Sequence, residues 1–228
     1  MRAKTLENID AVLAEIQQRW GQRIIQVARD YHLEIHTLST GIEVLDGLLD
    51  GGLPIGKVAA FMGTPTSGIT TLAYRVTAHS HATGAEVVFI DLPQTFNGGY
   101  AADCGVDLDR LLVARPPDLH VALDLTSEVV ASRVVELVVL DLGQVSSKVA
   151  LHRLHQSLVA SPTVLLLLTS VPLQGTHVRL QVACRGWLRD ERNVIGCTIQ
   201  ATVQQHPRVP VGRSACFDLY FGKGADYA

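Results

Sequence analysis

A short stretch, GTPTSGITT at residues 63–71, constrains the fold of this chain more than any other part of the sequence. It matches the phosphate-binding pattern G-x-x-x-x-G-K-[ST] at every position but one, where Ile69 replaces the lysine. The apolar run KVAAFM precedes the stretch and the helical pattern TTLAYRVTAHSHATG follows it. Between a strand and a helix, backbone N–H groups and the helix N-terminus can bind phosphate oxygens. The sequence therefore predicts a strand, a loop and a helix arranged around an anion site.

The residue types in and near this loop indicate a nucleotide with Mg²⁺. Thr70 would bind the metal, and Asp141, which closes the apolar run VVELVVLD, stands where a second metal ligand belongs. The alternative is an ordinary strand-to-helix turn that needs Gly63 and Gly68 for backbone reasons. The predicted site within the loop consists of Gly63, Ser67, Gly68, Ile69, Thr70 and Thr71.

The order of elements predicts an α/β fold with a mostly parallel sheet flanked by helices. Apolar strands lie in KVAAFMG, EVVFIDL, VDLDRLLVARP, RVVELVVLDL and TVLLLLTSVP, and KVALHRLHQSLVAS has a helical pattern. The tail from about Val178 is typical of antiparallel strands. Residues 5–30 have helical spacing, with Thr5 as the expected N-cap. We expect an N-terminal helical segment at 1–35 and a core domain at 36–228.

Composition excludes several classes of protein. A chain of 228 residues with 47% hydrophobic residues can bury the core of one domain. Its apolar runs are too short to span a bilayer, and MRAKTLENID lacks an apolar signal segment. The net charge of −3 is not typical of a nucleic-acid-binding surface. The widely spaced cysteines indicate reduced thiols in a cytoplasmic protein; they are Cys104, Cys184, Cys197 and Cys216.

Longer stretches resemble the RecA recombinase family. LSTGIEVLDGLLDGGLPIGKVAAFMGTPTSGITTL is similar to the opening of the RecA core, and FIDLPQTFNGGYAADCGVDLDRLLVARP and NVIGCTIQATVQQHPRVPVGRSACFDLYFGKG are similar to later parts of it. The resemblance implies a RecA-like P-loop NTPase core with ATP and Mg²⁺ as cofactors. It also places Tyr100, the family's downstream tyrosine, in the nucleotide site, and it assigns Asp141 to the magnesium-carboxylate strand.

The departures from the family pattern predict an inactive or strongly weakened ATP site. Ile69 removes the lysine that would reach the β- and γ-phosphates. One charge-assisted hydrogen bond is worth roughly 1.5–3 kcal/mol, so binding should weaken by about tenfold to a few hundredfold. Pro93 stands where the family has its catalytic glutamate, and Gln204 and His206 stand where the resemblance implies two inter-subunit lysines. The sequence therefore predicts no catalytic residue, although Lys148 could replace the missing lysine.

DNA contact is also predicted to be weak or indirect. The segments that match the DNA-binding loops of RecA are short, in LGQVSSKVALHRLH and VPLQGTHVRL. The basic segment RLQVACRGWLRDER carries the candidate DNA contacts around Trp187, which are Arg179, Arg185, Arg189 and Arg192. The alternative is an edge strand with solvated charges and a tryptophan partly in the core.

The N-terminal segment AEIQQRWG is similar to the helix through which RecA subunits dock, so Leu13, Ile16 and Trp20 are predicted docking residues. The short chain with its altered loop also resembles ImuA, a RecA-like family of bacterial translesion-synthesis systems. That resemblance implies that the partner is RecA, a Y-family polymerase relative, or both. Because Gln204 and His206 cannot bridge to phosphate at a subunit junction, we expect a monomer or small oligomer. Two alternatives stay open: a functional DNA-dependent ATPase of recombinase type, and a structural subunit that binds nucleotide without turnover.

Overall fold

The computed structural model describes Val12 and residues 14–16, 18–19, 36–145, 149, 151–159, 161–190 and 193–221. The chain divides into two compact units, Met1–Ile35 and His36–Ala228. In the first unit the described residues are helical, and Ile16 is half-buried. Two of the predicted docking residues, Leu13 and Trp20, lie outside the described residues.

The second unit alternates strands and helices along most of its length. The helices are α1 (Glu43–Leu48), α2 (Ile69–Ala82), α3 (Gly98–Asp103), α4 (Leu119–Ser132) and α5 (His152–Leu158). The strands are β1 (Thr37–Leu38), β2 (Leu53–Pro54), β3 (Val58–Met62), β4 (Val87–Asp91), β5 (Leu111–Ala114), β6 (Leu137–Asp141), β7 (Val164–Thr169), β8 (Val178–Asp190), β9 (Asn193–Gln205) and β10 (Ser214–Tyr220).

One eight-stranded sheet organises this unit, in the order β10-β9-β8-β3-β7-β6-β4-β5. The strands from β8 to β5 in that order run parallel, while β8, β9 and β10 pair antiparallel. Every residue of β3, β4, β6 and β7 is buried. One face packs against α1 and α2, and the other packs against α4 and α5. The predicted fold class, a mostly parallel sheet flanked by helices with antiparallel C-terminal strands, is confirmed.

The sequence analysis missed helix α4, which fills the connection between β5 and β6. Asp118 caps this helix, since its Oδ1 accepts the N–H of Val121 at 2.9 Å. Ala122, Thr126 and Val130 recur every four residues and are buried. The capping aspartate and this apolar stripe were present in the sequence and could have predicted the helix.

Strand β8 is internal to the sheet only where it begins, so the alternative of an edge strand for the arginine-rich segment is wrong at residues 179–181 but fits residues 182–190, which pair with β9 alone. Residues 178–181 pair with β3 on one side, and β9 pairs with β8 on the other. Beyond Gln181, β8 runs past the end of β3, because β3 stops at Met62 where the chain turns into the phosphate-type loop. The far half of β8 therefore stands beside that loop.

Candidate functional site

The loop at 63–68 joins β3 to α2 at the carboxyl end of the parallel sheet, as the sequence predicts. Gly63 N–H donates to the carbonyl of Thr169 at 3.0 Å, which ties the start of the loop to the end of β7. Ser67 N–H donates to the carbonyl of Thr64 at 3.0 Å and closes a turn. Ligands of open α/β sheets bind at this edge, so the loop lies where a ligand is expected.

Both loop glycines are required, for different reasons. Gly68 has φ +92°, and a Cβ there would lie 2.5 Å from Cδ1 of Ile199 on β9. At Gly63 a Cβ would lie 2.1 Å from the Ser67 hydroxyl and 2.9 Å from Cγ2 of Ile69. A side chain at either position would fill the concave loop or push it off β9.

Ser67 carries a polar atom that the protein itself leaves unpaired. The residue is 5% exposed, and among the described residues its Oγ has no hydrogen-bond partner. Buried hydroxyls in folded proteins are normally paired, so an orphan in a cleft is a candidate ligand contact. The adjacent N-terminus of α2 contributes further N–H donors and a favourable dipole for an anion.

The loop borders a cleft of about 580 Å³, which is within the range of small-molecule sites. All the predicted nucleotide-site residues line this one cleft: Gly63, Ser67, Gly68, Ile69, Thr70, Thr71, Tyr100 and Asp141. The two candidate metal ligands, Thr70 and Asp141, are therefore on the same cleft. Elsewhere in the described part of the chain, no cluster of three or more histidine, cysteine or acidic side chains could hold a metal.

Ile69 leaves the cleft without a cation at the position of the missing lysine. It is the first residue of α2, is half-buried and packs against the larger core cluster. Among the described residues that line the cleft there is no lysine, arginine or histidine, and Asp141 is the one charged side chain. The described lining of the cleft therefore offers dipoles and hydrogen-bond donors to a phosphate but no formal positive charge.

Pro93 occupies the position that the resemblance gives to a catalytic glutamate. It lines the cleft and lies against Gly143, where a Cβ would be 3.1 Å from the Cβ of Pro93. The N–H of Gly143 donates to Oδ1 of Asp141 at 2.8 Å. A proline ring therefore lies near Asp141, and that ring has no atom that could accept a proton from water.

Burial disfavours the ionised form of the Asp141 side chain. It is 8% exposed, and burial raises its pKa to about 6, with the Gly143 N–H lowering it and nearby Asp91 raising it. The two aspartates are neighbours because β4 and β6 pair in a register that sets Asp91 beside Asp141. A cation beside Asp141 would offset the cost of burying its charge.

Asp91 is fully buried but has its own partners. Its carboxylate accepts the N–H groups of Thr95 at 3.0 Å and Phe96 at 2.9 Å. The guanidinium of Arg115 lies 3.6 Å from Oδ2. Asp91 therefore shapes the turn after β4 and is not presented to the cleft as a free base.

Helices α3 and α2 both hold Tyr100 in place. The side chain of Asn97 caps α3 by accepting the Tyr100 N–H at 3.0 Å. The Tyr100 hydroxyl lies 2.8 Å from Oγ1 of Thr71. Burial raises the pKa of Tyr100 to about 12, so its hydroxyl stays protonated near neutral pH.

The structure adds two aromatic residues that sequence reasoning did not assign to the nucleotide site. Trp187 on β8 and Phe221 after β10 both line the cleft. Their ring centroids are 6.4 Å apart, and Phe221 lies 6.1 Å from Tyr100. Trp187 reaches the loop because β8 pairs with β9 so that it stands opposite Cys197, another lining residue. No local sequence signal indicates this meeting.

The arginines predicted to contact DNA do not form one compact patch. Arg179 is half-buried and donates to the side chain of Gln205 at 2.7 Å. Arg185 and Arg189 are exposed, and Arg192 lies outside the described residues. Along an extended strand, Arg179 and Arg189 are roughly 33 Å apart. DNA binding by this segment stays a prediction.

The residues at the positions of the inter-subunit lysines differ in their surroundings. His206 Nε2 lies 3.1 Å from the carbonyl of Leu49, and its Nδ1 accepts the N–H groups of Arg208 at 3.1 Å and Val209 at 2.9 Å. Burial lowers the pKa of His206, which favours the neutral ring. Gln204 is exposed. The imidazole of His206 is thus engaged within its own chain, and Lys148 lies outside the described residues.

Comparison with known proteins agrees with this arrangement. The family model described as the RecA N-terminal domain matches residues 7–156. Protein RecA of Caulobacter sp. (strain K31) is 27% identical over 258 aligned positions, covering 95% of this chain and 72% of that protein. Protein RecA of Synechocystis sp. is 34% identical over 134 positions, and that of Crocosphaera subtropica is 36% identical over 131; each alignment covers 38% of the relative. Every helix in the described part of the chain is too short or too polar to cross a bilayer. With the family model matching more than half of its length, the chain belongs to the RecA N-terminal domain family.

Proposed function

We propose that this chain is a RecA-like accessory protein of bacterial DNA repair and the damage (SOS) response. In this proposal it supports translesion synthesis in the manner of ImuA, acts in the cytoplasm, and works through protein contacts while its ATP site is strongly weakened. The observation that carries the proposal is Ile69 at the mouth of a cleft whose described lining residues include no cation. A protein that cannot bind ATP tightly must act by another route.

The remaining groups fit one phosphate group and Mg²⁺ better than a complete triphosphate. The unpaired Ser67 hydroxyl and the loop N–H groups would hold phosphate oxygens. Thr70 and Asp141 would hold Mg²⁺, which in family members supplies charge neutralisation at the phosphates. Asp141 accepts a hydrogen bond from Gly143 and is otherwise available to a cation.

Two further positions support loss of turnover. Pro93 presents a ring carbon surface to the cleft and cannot orient or deprotonate water. His206 is engaged by the backbone of its own chain, which favours a structural role over contact with a neighbour's phosphate. The alternative of a DNA-dependent ATPase requires another group, such as Lys148, to replace the lysine.

The purified protein should show no ATP turnover above background, with or without single-stranded DNA. Ile69→Lys should tighten ATP–Mg binding about tenfold to a hundredfold, as expected for one restored charge-assisted hydrogen bond, but should not restore turnover. Phosphate release and calorimetric titration measure the two effects, and Ile69→Val is the matched control. Native turnover on the scale of an active RecA would contradict the proposal. If that turnover were lost in Lys148→Ala, the alternative ATPase would be supported.

The partner proposed for the N-terminal segment is RecA, with or without a Y-family polymerase relative. The RecA-like helix would join a RecA filament, and Gln204 and His206 would not supply the lysines that stabilise the next junction. The chain itself would then be a monomer or small oligomer. Single-stranded DNA binding is proposed to be weak or indirect, since Arg179 is engaged by Gln205.

Addition of this protein should shorten or destabilise RecA filaments on single-stranded DNA, as measured by light scattering or electron microscopy. The double variant Ile16→Asp, Trp20→Ala should lose the effect and keep a folded core, because it removes the apolar docking side chains. Val12→Ala, at a residue 54% exposed on the same helical segment, is the control. Equal activity of the double variant, or no effect of the native protein, would refute this partner. Without RecA, any DNA complex should be lost by roughly 200 mM salt.

A further inference from the structure

One wall of the cleft is aromatic. Trp187, Phe221 and Tyr100 form a continuous series with ring centroids 6.4 and 6.1 Å apart. Tyr74, which is fully buried, continues it into the core at 6.0 Å from Tyr100. Aromatic pairs at these separations support one another and hold their rings in place. The series begins at the solvent-facing side of the cleft with Trp187.

Trp187 is only partly buried. Its side chain is 52% exposed, although its strand partner Cys197 is 3% exposed and the strand itself is well paired. A large indole left half-open at the wall of a cleft is a surface on which a planar ring can stack. Trp187 and Phe221 border the same cleft as the loop, so a ligand that fills this cleft would contact both the indole and the loop.

The charges of the cleft disfavour a highly charged ligand. Among its described lining residues Asp141 is the only ionisable acid or base apart from the hydroxyl of Tyr100 and the thiol of Cys197. Without Mg²⁺, a triphosphate would bring about four negative charges towards that carboxylate. With Mg²⁺, its outer phosphates would still meet no cation among the described lining residues, whereas a single phosphate needs only the donors at the N-terminus of α2.

The phosphate end of the cleft has the capacity for one such group. The orphan Ser67 hydroxyl and the first-turn N–H groups of α2 converge on the loop. Ile69 fills the place beside them with an apolar side chain. Donors are therefore present near the loop, and the side chain at the position of the missing lysine, which would meet further phosphates, is apolar.

From these observations we propose that the cleft binds a nucleoside monophosphate, with the base stacked on Trp187 and the single phosphate on the loop at 63–68. This deepens the proposed function, on which it rests, by naming the ligand class of the weakened ATP site. Binding energy comes mainly from the base, so the second and third phosphates add little or reduce affinity.

The test is a calorimetric titration with AMP, adenosine and ATP–Mg. AMP should bind at least as tightly as ATP–Mg and more tightly than adenosine. Trp187→Ala should weaken AMP binding by roughly five- to a hundredfold, as when one base loses its stacking partner. Trp187→Phe should retain binding within a few fold, because it keeps a ring. In a Trp20→Phe background Trp187 is the remaining tryptophan, and AMP should quench its fluorescence.

The control is Leu112→Ala, which truncates an apolar side chain that is 69% exposed on β5 and does not line the cleft. It should bind AMP like the native protein, and circular dichroism should show that each variant is folded. ATP–Mg binding tenfold or more tighter than AMP, no AMP binding at all, or unchanged AMP affinity in Trp187→Ala would overturn the inference. Those results would leave the proposed absence of turnover untouched, whereas ATP turnover would overturn the proposed function and, with it, the inference that rests on it.

Discussion

Replacing Gly52 with alanine is expected to lower the free energy of unfolding by about 3–5 kcal/mol, a larger effect than that of any other substitution proposed for this chain. Gly52 has φ +122°, a conformation that side-chain-bearing residues rarely adopt, and an added Cβ would lie 2.4 Å from the carbonyl oxygen of Leu38. The clash is with backbone of β1, which pairs with β2 through Leu38 and Leu53 and cannot rotate away. Urea denaturation measures the loss.

Gly47→Ala is the matched control for this substitution. Gly47 lies within α1, is exposed and has no atom within 4 Å of an added Cβ. Alanine there should stabilise the protein by about 0.5–1 kcal/mol, because glycine loses more backbone entropy in a helix. A Gly52→Ala protein as stable as the native one would show that the chain at β1 and β2 adapts more readily than its geometry indicates.

Replacing Asp141 with asparagine is expected to stabilise the protein by about 2–3 kcal/mol at pH 8, in the absence of nucleotide and metal. The folded-state pKa of Asp141 is raised from 3.8 to about 6, chiefly by burial, and every tenfold change in proton affinity corresponds to about 1.4 kcal/mol. Ionisation is therefore harder in the folded than in the unfolded chain. Asparagine keeps an acceptor for the Gly143 N–H and removes the charge.

The sign of the pH dependence follows from the raised pKa. The native protein keeps the full stability of a protonated Asp141 below about pH 4 and loses it as the pH rises through about 6. The gain from Asp141→Asn should accordingly be large at pH 8 and close to zero at pH 4. Asp109→Asn, at an exposed position, should change stability by less than about 0.5 kcal/mol at both values. A loss of stability in Asp141→Asn at pH 8 would indicate that the ionised carboxylate is favoured in the fold.

The two substitutions test different kinds of constraint on the same unit. Gly52 lies in the GGLP segment that precedes β3, where the nearby backbone of Leu38 leaves no room for a side chain. Asp141 lies at the cleft, where the fold accepts an unfavourable charge. A buried carboxylate whose pKa is raised in a cleft is typical of functional positions, because its charge is used when a ligand arrives. Asp141 and Pro93 therefore fit the proposed site, which would bind a ligand without turnover.

The local signals in the sequence were sufficient for the framework of the site. Glycines at 63 and 68 after an apolar run predicted a strand, loop and helix. Gly68 has a positive φ and lies against Ile199. A Cβ at Gly63 would meet Ser67 and Ile69. Apolar runs predicted β3, β4, β6 and β7, since strands buried on both faces consist of continuous apolar residues. Parallel strands then bring Asp141 to the same edge as the loop.

Helix α4 and the bounds of α5 were harder to predict from the sequence. The predicted helical run at 148–161 begins earlier than α5, which starts at His152. Helix α4 was missed although Asp118 caps it and Ala122, Thr126 and Val130 recur on its buried face. Packing against the sheet and α5 then stabilises the helix.

The sequence by itself determined the α/β framework, the loop and the presence of Ile69 in place of a lysine, because each of these features depends on residues that are close together in the chain. Only the tertiary structure decided what surrounds them. Trp187 reaches the loop because β8 outruns β3 and pairs with β9 through an irregular register between Cys184 and Gly186. His206 is held by the carbonyl of Leu49, far away in the chain. Contacts of this kind depend on strand register and loop packing, which sum interactions along the whole chain and have no local signature.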